Sequence, residues 1–205
     1  HHAQSQLHRF INLLGGSTRA MNSYSTAAAQ VILPHVVAPW HQIEVEQTCW
    51  QDISANTGLV VAFGGIPLRN TQVAYGGITE HQSKDGLTKA ISSGVQFVSV
   101  SPIKSDMPDF SSSQWLACRP GTDVALMLAL AYVLETENRV SRDFLDRHCT
   151  GYDRFRHYLL GLDDGLAKTP QWAEKICAVS VSDITLLARR LVKQRTFLTA
   201  AWSLQ

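Results

Sequence analysis

Two short segments of the sequence contain polar residues of types that could do chemistry. Ser25 lies in NSYSTAAAQVILPHVV (residues 22–37), just before an apolar stretch that predicts a helix. Its hydroxyl can cap that helix, or its oxygen can bind a ligand. Thr122 and Asp123 in RPGTD suit the start of a second, very apolar helix, with Thr122 as the cap. A carboxylate at such a start can also accept the two N–H donors of a guanine base, and both interpretations stay open.

Several familiar motifs do not occur. Ser25 is not part of a G-x-S-x-G elbow, and His35 has no acidic partner that the sequence identifies, so a serine hydrolase is disfavoured. Neither the dinucleotide fingerprint nor the Walker phosphate loop follows a predicted strand. No two of the four cysteines form a C-x-x-C pair, which argues against a structural zinc or iron–sulfur site within these residues. The cysteines are Cys49, Cys118, Cys149 and Cys177.

The composition is that of a globular protein. Of 205 residues, 45% are hydrophobic and 17% are charged. The formal net charge is +1, so there is no basic excess that would favour nucleic-acid binding. The longest apolar stretches, such as VALMLALAYVL (124–134), are too short to span a bilayer. The chain begins without methionine and ends at an apolar strand, so we expect a piece of a longer protein.

The elements that must position these residues alternate in type. Short apolar runs predict three buried strands, over 58–65, 95–102 and 196–203. Between and beside them, longer patterns predict helices over 80–94, 120–137 and 180–194, with several short helices over 141–178. This alternation predicts an α/β fold with a parallel, doubly wound, Rossmann-like sheet that has helices on both faces.

The carboxyl ends of parallel strands meet at one sheet edge, where ligands bind in such folds. Here the segments at that edge are FGGIP, SVSP and AWSLQ, which are small and almost uncharged. Glycine and proline there can simply stop the strands, or they can let the backbone approach a nucleotide closely. The sequence leaves these two alternatives open for any single segment.

An ordered set of segments carries a family resemblance. It comprises FINLLGGSTRAMNSYSTAAAQVILPHVV, VVAFGGIPLRNTQVAYGG, FVSVSPIKSDMPDF, RPGTDVALMLALAYVL, WAEKIC and TAAWSLQ. Together they resemble the molybdenum S- and N-oxide reductases of the dimethyl sulfoxide reductase family. The similarity is greatest to the biotin and methionine sulfoxide reductases, followed by the trimethylamine N-oxide reductases, and it covers essentially the whole chain.

The resemblance implies a cofactor and a metal ligand. Such enzymes carry molybdenum held by two molybdopterin guanine dinucleotides, and a serine in a tyrosine–serine–threonine stretch ligates the metal. On this chain that residue is Ser25, which would be both the catalytic residue and the metal ligand. The resemblance implies a larger multidomain enzyme, in which 1–57 is the molybdenum-proximal segment and 58–205 is an α/β domain for one guanine dinucleotide.

The resemblance also implies which residues contact that dinucleotide. Gly65 to Pro67 would follow the pyrophosphate or pterin, and Val100 to Pro102 would line the ribose and guanine. Thr122 and Asp123 would contact the guanine edge, and the residues from Trp202 to Gln205 named below would close over a cofactor. Ile66 and Ser101 stand where many relatives have asparagine and aspartate. The full implied set is Gly65, Ile66, Pro67, Val100, Ser101, Pro102, Thr122, Asp123, Trp202, Ser203 and Gln205.

The implied activity is oxygen-atom transfer from a small S-oxide or N-oxide, with electrons from a donor protein or a reduced nucleotide. We expect no nucleic-acid partner and no membrane span. Of the bacterial cytoplasm and periplasm, unpaired cysteines favour the cytoplasm. The alternative is a nucleotide-binding α/β module without catalysis. Even if the parent protein is an oxide reductase, we expect the 205 residues alone to be inactive, because they form only part of a two-pterin site.

Overall fold

Four strands form a parallel sheet. The computed structural model describes residues 2–18, 21, 26–72, 81–108 and 113–201. In the order β3-β2-β1-β4, the strands are paired throughout in parallel. In this register the strands β1, β2 and β4 end side by side, at Phe63, Val100 and Ala200. The strand bounds are β1 Leu59–Phe63, β2 Gln96–Val100, β3 Ser113–Leu116 and β4 Thr196–Ala200.

Helices precede, separate and follow these strands. Two short 3-10 helices, Leu68–Gln72 and Lys104–Asp106, follow β1 and β2. The α-helices of the described ranges are α1 Ala3–Leu13, α2 Ala27–Val36, α3 Trp40–Val45, α4 Trp50–Asn56, α5 Ser83–Ser92, α6 Asp123–Thr136, α7 Arg142–His148, α8 Tyr152–Leu160, α9 Pro170–Cys177 and α10 Val181–Leu191. In these ranges, no helix has the length and apolar character needed to cross a membrane.

Helices cover both faces of the sheet, which confirms the predicted α/β class. Leu59 and Val61 of β1 share a buried cluster with side chains of α6, α9 and α10. The alternate residues Val60 and Ala62 belong to a second cluster with side chains of α4 and α5. All five residues of β1 are buried, because a parallel strand between two helical layers has no solvent-facing side.

The three predicted strands are confirmed as strands, and β3 was missed. The predicted burial of the third is wrong: β4 has no buried residue and Leu198 is 59% exposed, because β4 lies at an edge of this four-stranded sheet. The sequence of β3 is SQWL, in which Leu116 is the one buried residue and Trp115 is exposed. Such a short and mixed run on a sheet edge lacks the continuous apolar pattern of the inner strands. Several helix starts follow from their caps: the Ser141 and Ser180 hydroxyls accept from backbone N–H groups of α7 and α10.

The chain divides into two compact units, His1–Gln47 and Thr48–Leu204. The first contains α1 to α3, and the second contains the sheet and α4 to α10. The helix α4 joins the second unit because Trp50 packs on α5 at Gly86, where an added Cβ would lie 2.3 Å from Trp50 Cγ. The predicted functional boundary between 57 and 58 stays a prediction.

Candidate functional site

The loops that leave β1 and β2 lie against each other at the carboxyl edge of the sheet. Gly64 N–H donates to the carbonyl of Val100 at 2.8 Å, and Ile66 N–H donates to the carbonyl of Asp106 at 2.7 Å. Two of the three predicted edge segments are therefore joined by backbone hydrogen bonds. Pro67 is buried, whereas Pro102 is exposed.

Two glycines allow the first loop to pass this close to its neighbours. Gly65 has φ +72°, and an added Cβ would lie 2.3 Å from the backbone oxygen of Asp106. Gly64 has φ +87°, and its Cβ would lie 2.5 Å from Cβ of Ala201. The N–H of Ala201 donates to the carbonyl of Phe63 at 2.8 Å, so the chain after β4 begins at the same edge. Glycine at 65 is thus required both by its backbone conformation and by its surroundings.

Ser101 is buried and its hydroxyl is engaged within the protein. The hydroxyl donates to Oδ2 of Asp106 at 2.6 Å and accepts from the N–H of Ile103 at 3.2 Å. The carbonyl of Ser101 accepts from Nε1–H of Trp115 on β3 at 2.8 Å. The implied contact of Ser101 with ribose or guanine stays a prediction. The hydrogen bonds give its side chain a role in holding the loop together.

Asp106 is a residue that the sequence interpretation missed. Its other carboxylate oxygen, Oδ1, accepts from Nη2 of Arg69 at 2.5 Å. Burial acts to raise the pKa of Asp106, but the hydrogen bonds from Ser101 and Arg69 and the charge of Arg69 outweigh it and lower that pKa. The carboxyl is therefore ionised at neutral pH. The sequence does contain a signal for this ion pair, because Arg69 and Asp106 each lie a few residues after a predicted strand.

Asp123 is buried at the first position of α6, beside the end of β3. Its exposed fraction is 8%, and burial raises its pKa, opposed by a hydrogen bond from its own backbone N–H. Among the described residues, no side chain is recorded as donating to this carboxyl. With only its own backbone N–H as a donor, the carboxyl has acceptor capacity left for a ligand that carries N–H groups.

The neighbouring threonine does not cap α6 as predicted. Thr122 stands at the N-cap position, but its hydroxyl donates to the carbonyl of Arg119 at 2.7 Å and makes no capping bond to the helix. The reason is its backbone conformation, φ −118° and ψ 10°, which lies outside the extended region typical of a capping residue. The prediction that the Thr122 side chain caps α6 is therefore wrong. The helix does begin at Asp123, as the sequence indicates.

The turn before Asp123 is tied to α9. Arg119 N–H donates to the carbonyl of Cys177 at 3.0 Å, and its guanidinium donates to the carbonyl of Lys175 at 3.2 Å. The thiol of Cys118 lies 3.4 Å from the Thr122 hydroxyl, and burial raises the pKa of that thiol to about 11. These contacts hold the turn before α6 against the end of α9.

Four of the predicted site residues lie outside the described residues. They are Ser25, Trp202, Ser203 and Gln205. The helix that follows Ser25 begins at Ala27 and has Thr26 at its N-cap position, but the Thr26 side chain makes no capping hydrogen bond. The capping and metal-ligand roles of Ser25 stay predictions. Within the described ranges, no group of three or more His, Cys, Asp and Glu side chains is placed to hold a metal ion.

The edge therefore offers backbone groups, two glycines and the buried carboxyl of Asp123, which has no side-chain donor among the described residues. This combination suits the binding of a flat ligand that carries N–H donors and allows a close approach of the backbone. Among the described residues of this edge, no nucleophile lies beside a base, which is the arrangement that covalent catalysis by side chains requires.

Comparison with known proteins identifies relatives over the full length of the chain, although no family model matches it. It is 37% identical over 205 residues to a dimethyl sulfoxide/trimethylamine N-oxide reductase of Cereibacter sphaeroides, covering all of this chain and 25% of the relative. A biotin sulfoxide reductase of the same organism is also 37% identical, with 28% of it covered. A trimethylamine-N-oxide reductase of Haemophilus influenzae is 34% identical, with 25% covered.

One solved structure has the same fold. The acetylene hydratase from Pelobacter acetylenicus superimposes with a TM-score of 0.60 and 17% identity, over 97% of this chain and 24% of that one. The chain is thus an α/β segment of the kind found in larger enzymes. Its homologues over its whole length are proteins of the dimethyl sulfoxide reductase family, which confirms the family predicted from the sequence. It spans about a quarter of the length of these curated relatives.

Proposed function

We propose that this chain is the part of an S-oxide or N-oxide reductase that binds one guanine dinucleotide of a molybdenum cofactor. The observation that carries the proposal is the homology of all 205 residues to reductases named for dimethyl sulfoxide, trimethylamine N-oxide and biotin sulfoxide. Because two relatives with different named substrates are both 37% identical, the proposal covers the whole class of oxides.

The residues of the described edge fit a guanine nucleotide. Guanine presents N1–H and its N2 amino group side by side, and Asp123 offers a buried carboxyl that lacks a side-chain donor among the described residues. Gly64 and Gly65 let the loop after β1 approach a ligand with backbone alone. Pro102 and the backbone of the loop after β2 complete the edge. A ligand with this donor pair would offset the burial of the carboxyl.

The cofactor would supply the two-electron chemistry of oxygen-atom transfer, and the protein would supply binding and orientation. Ser25 would provide an oxygen ligand to the metal, consistent with the preference of hard ions for oxygen donors. Trp202, Ser203 and Gln205 would lie over the cofactor after β4. Electrons would come from a donor protein or a reduced nucleotide. The cysteines are all unpaired, which supports the cytoplasm as the compartment.

The test uses the full-length protein, expressed with a supply of molybdenum cofactor. We expect bound molybdenum, guanosine monophosphate on acid hydrolysis, and reduction of methionine sulfoxide, biotin sulfoxide or trimethylamine N-oxide with a chemical reductant. Ser25→Ala should lose activity, and Asp123→Ala should lose guanine nucleotide. The control is Asp153→Ala, since Asp153 is an exposed aspartate on α8.

The outcomes separate the parts of the proposal. A wild-type protein without molybdenum would contradict the reductase and leave the non-catalytic nucleotide-binding module. Full activity in Ser25→Ala would refute the ligand assignment alone. Unchanged guanine content in Asp123→Ala would refute the guanine contact alone.

A further inference from the structure

One carboxylate connects the two loops that leave β1 and β2. Asp106 accepts from the Ser101 hydroxyl at 2.6 Å and from Arg69 at 2.5 Å, and its backbone carbonyl accepts from Ile66 N–H at 2.7 Å. Arg69 and Ile66 belong to the loop after β1, whereas Ser101 and Asp106 belong to the loop after β2. We call Asp106, Arg69 and Ser101, with the backbone of Ile66, the Asp106 latch.

The latch is charged, largely buried and tightly bonded. The side chain of Asp106 is 12% exposed, and the guanidinium of Arg69 covers it from the solvent side with 60% of its own side chain exposed. Hydrogen bonds to an ionised carboxylate are stronger than neutral ones. The lowered pKa of Asp106 agrees with an ionised carboxylate at neutral pH. Both carboxylate oxygens are used, one for each loop.

The latch extends to the third strand. The carbonyl of Ser101 accepts from the Trp115 indole at 2.8 Å, and Ser101 N–H donates to the carbonyl of Leu116 at 3.2 Å. The carboxyl ends of β1, β2 and β3 are therefore linked through adjacent residues. The approach of Gly65 to Asp106 leaves no room for a side chain at residue 65.

We infer that Asp106, held by Arg69, is a positioning residue that fixes the two loops of the nucleotide site in their binding geometry. This inference rests on the proposed function, because it concerns how the guanine dinucleotide is retained. Asp106 and Arg69 act through Gly65, Ile66 and Ser101. Preorganised loops lose less conformational entropy on binding, so a ligand dissociates from them more slowly.

The experiment measures how long the full-length protein keeps its guanine nucleotide. Wild type, Asp106→Asn, Arg69→Ala and Arg69→Lys are loaded during expression and dialysed, and the remaining guanosine monophosphate is followed with time. We expect loss about tenfold faster in Asp106→Asn and Arg69→Ala, as for other residues that orient direct ligands. Arg69→Lys should restore much of the retention, because lysine keeps the charge beside Asp106. The double variant should lose nucleotide no faster than the worse single variant.

The matched control is an exposed ion pair far along the chain. Arg147 pairs with Asp143 on α7, with side chains 64% and 72% exposed. Arg147→Ala and Asp143→Asn should retain nucleotide like wild type. Arg69→Ala should have a lower thermal midpoint than Arg147→Ala, because it leaves the largely buried carboxylate of Asp106 without its cation. Nucleotide loss is therefore followed well below the lowest midpoint, where faster loss from fully folded protein separates positioning from general stability.

The outcomes distinguish this inference from the proposed function. If the wild type contains no guanine nucleotide, the proposed function fails, and the inference fails with it. If the wild type contains it and both Asp106→Asn and Arg69→Ala release it at the wild-type rate, only the inference fails. Failure of lysine to rescue at residue 69 would also overturn it, because charge beside Asp106 is its physical basis.

Discussion

Gly65 lies so close to Asp106 that an added Cβ would stand 2.3 Å from the Asp106 backbone oxygen. This contact brings the loop after β1 onto the loop after β2, at the sheet edge where the family is expected to bind its cofactor. The four predictions below test this edge and the packing behind it.

Replacing Gly65 with alanine should destabilise the protein by about 3 kcal/mol or more, because left-handed strain adds to a backbone displacement. Gly94 is the matched control, since its φ is +88° and nothing lies within 4 Å of its added Cβ. Gly94→Ala should cost only the conformational strain, about 1–2 kcal/mol. Urea denaturation of both variants measures the difference. Equal losses would show that the Asp106 contact does not constrain residue 65.

Two serines on β2 and just after it should respond in opposite directions to alanine. The Ser99 hydroxyl is fully buried and has no hydrogen-bond partner among the described residues, so Ser99→Ala should stabilise by about 1 kcal/mol. The Ser101 hydroxyl donates to ionised Asp106, so Ser101→Ala should destabilise by about 1.5–3 kcal/mol. Denaturant midpoints of the two variants check the signs. If Ser99→Ala instead lowered the stability, the Ser99 hydroxyl would have a hydrogen-bond partner outside the described residues.

Glu135 should make the stability depend on pH. Its side chain is 3% exposed and accepts from Arg142, Arg156 and Tyr152. Burial acts to raise its pKa, but these hydrogen bonds and the charge of Arg142 lower it below the ordinary 4.5. With a folded pKa below the unfolded one, the contribution is complete above about pH 4.5 and is lost as pH falls through the folded value.

Glu135→Gln should therefore cost about 3 kcal/mol at neutral pH and flatten the loss of stability in acid. This cost lies at the lower end of the range for breaking a buried ion pair, because the side chains of Arg142 and Arg156 are partly exposed. Asp143→Asn is the control, since its pair with Arg147 is exposed on both sides and should be worth less than about 1 kcal/mol. Denaturation curves between pH 3 and pH 8 make the comparison. An unchanged acid slope in Glu135→Gln would assign the pH dependence to other groups.

The cysteines should differ sharply in reactivity. Cys118 is buried, and burial raises the pKa of its thiol to about 11, so almost no thiolate forms at pH 8. Cys149 is exposed. We expect iodoacetamide at pH 8 to label Cys149 in the native protein and Cys118 only after unfolding, as read by peptide mass spectrometry. Native labelling of Cys118 at the rate of Cys149 would contradict the packing at the start of α6.

Local patterns decided much of this molecule. The apolar runs around Val61 and Val98 predict parallel strands because a strand between two helical layers is buried on both faces. The run around Leu198 predicts a strand correctly, but its burial was wrongly predicted. The parallel direction then places the ends of the strands at one edge, which is why the glycine and proline segments were correctly expected there. The order of whole segments identified the family. The start of α6 at Asp123 also follows from local sequence.

Only the tertiary structure brought Arg69 to Asp106, which lies 37 residues further along the chain. It also directed the Thr122 hydroxyl to the carbonyl of Arg119 instead of to α6, and paired the short strand β3 with β2. Contacts between two loops leave no periodic trace in either loop, because each side chain meets its partner through the path of the intervening strands and helices. The sequence by itself therefore determined the scaffold and the edge, and the fold decided which polar groups meet there.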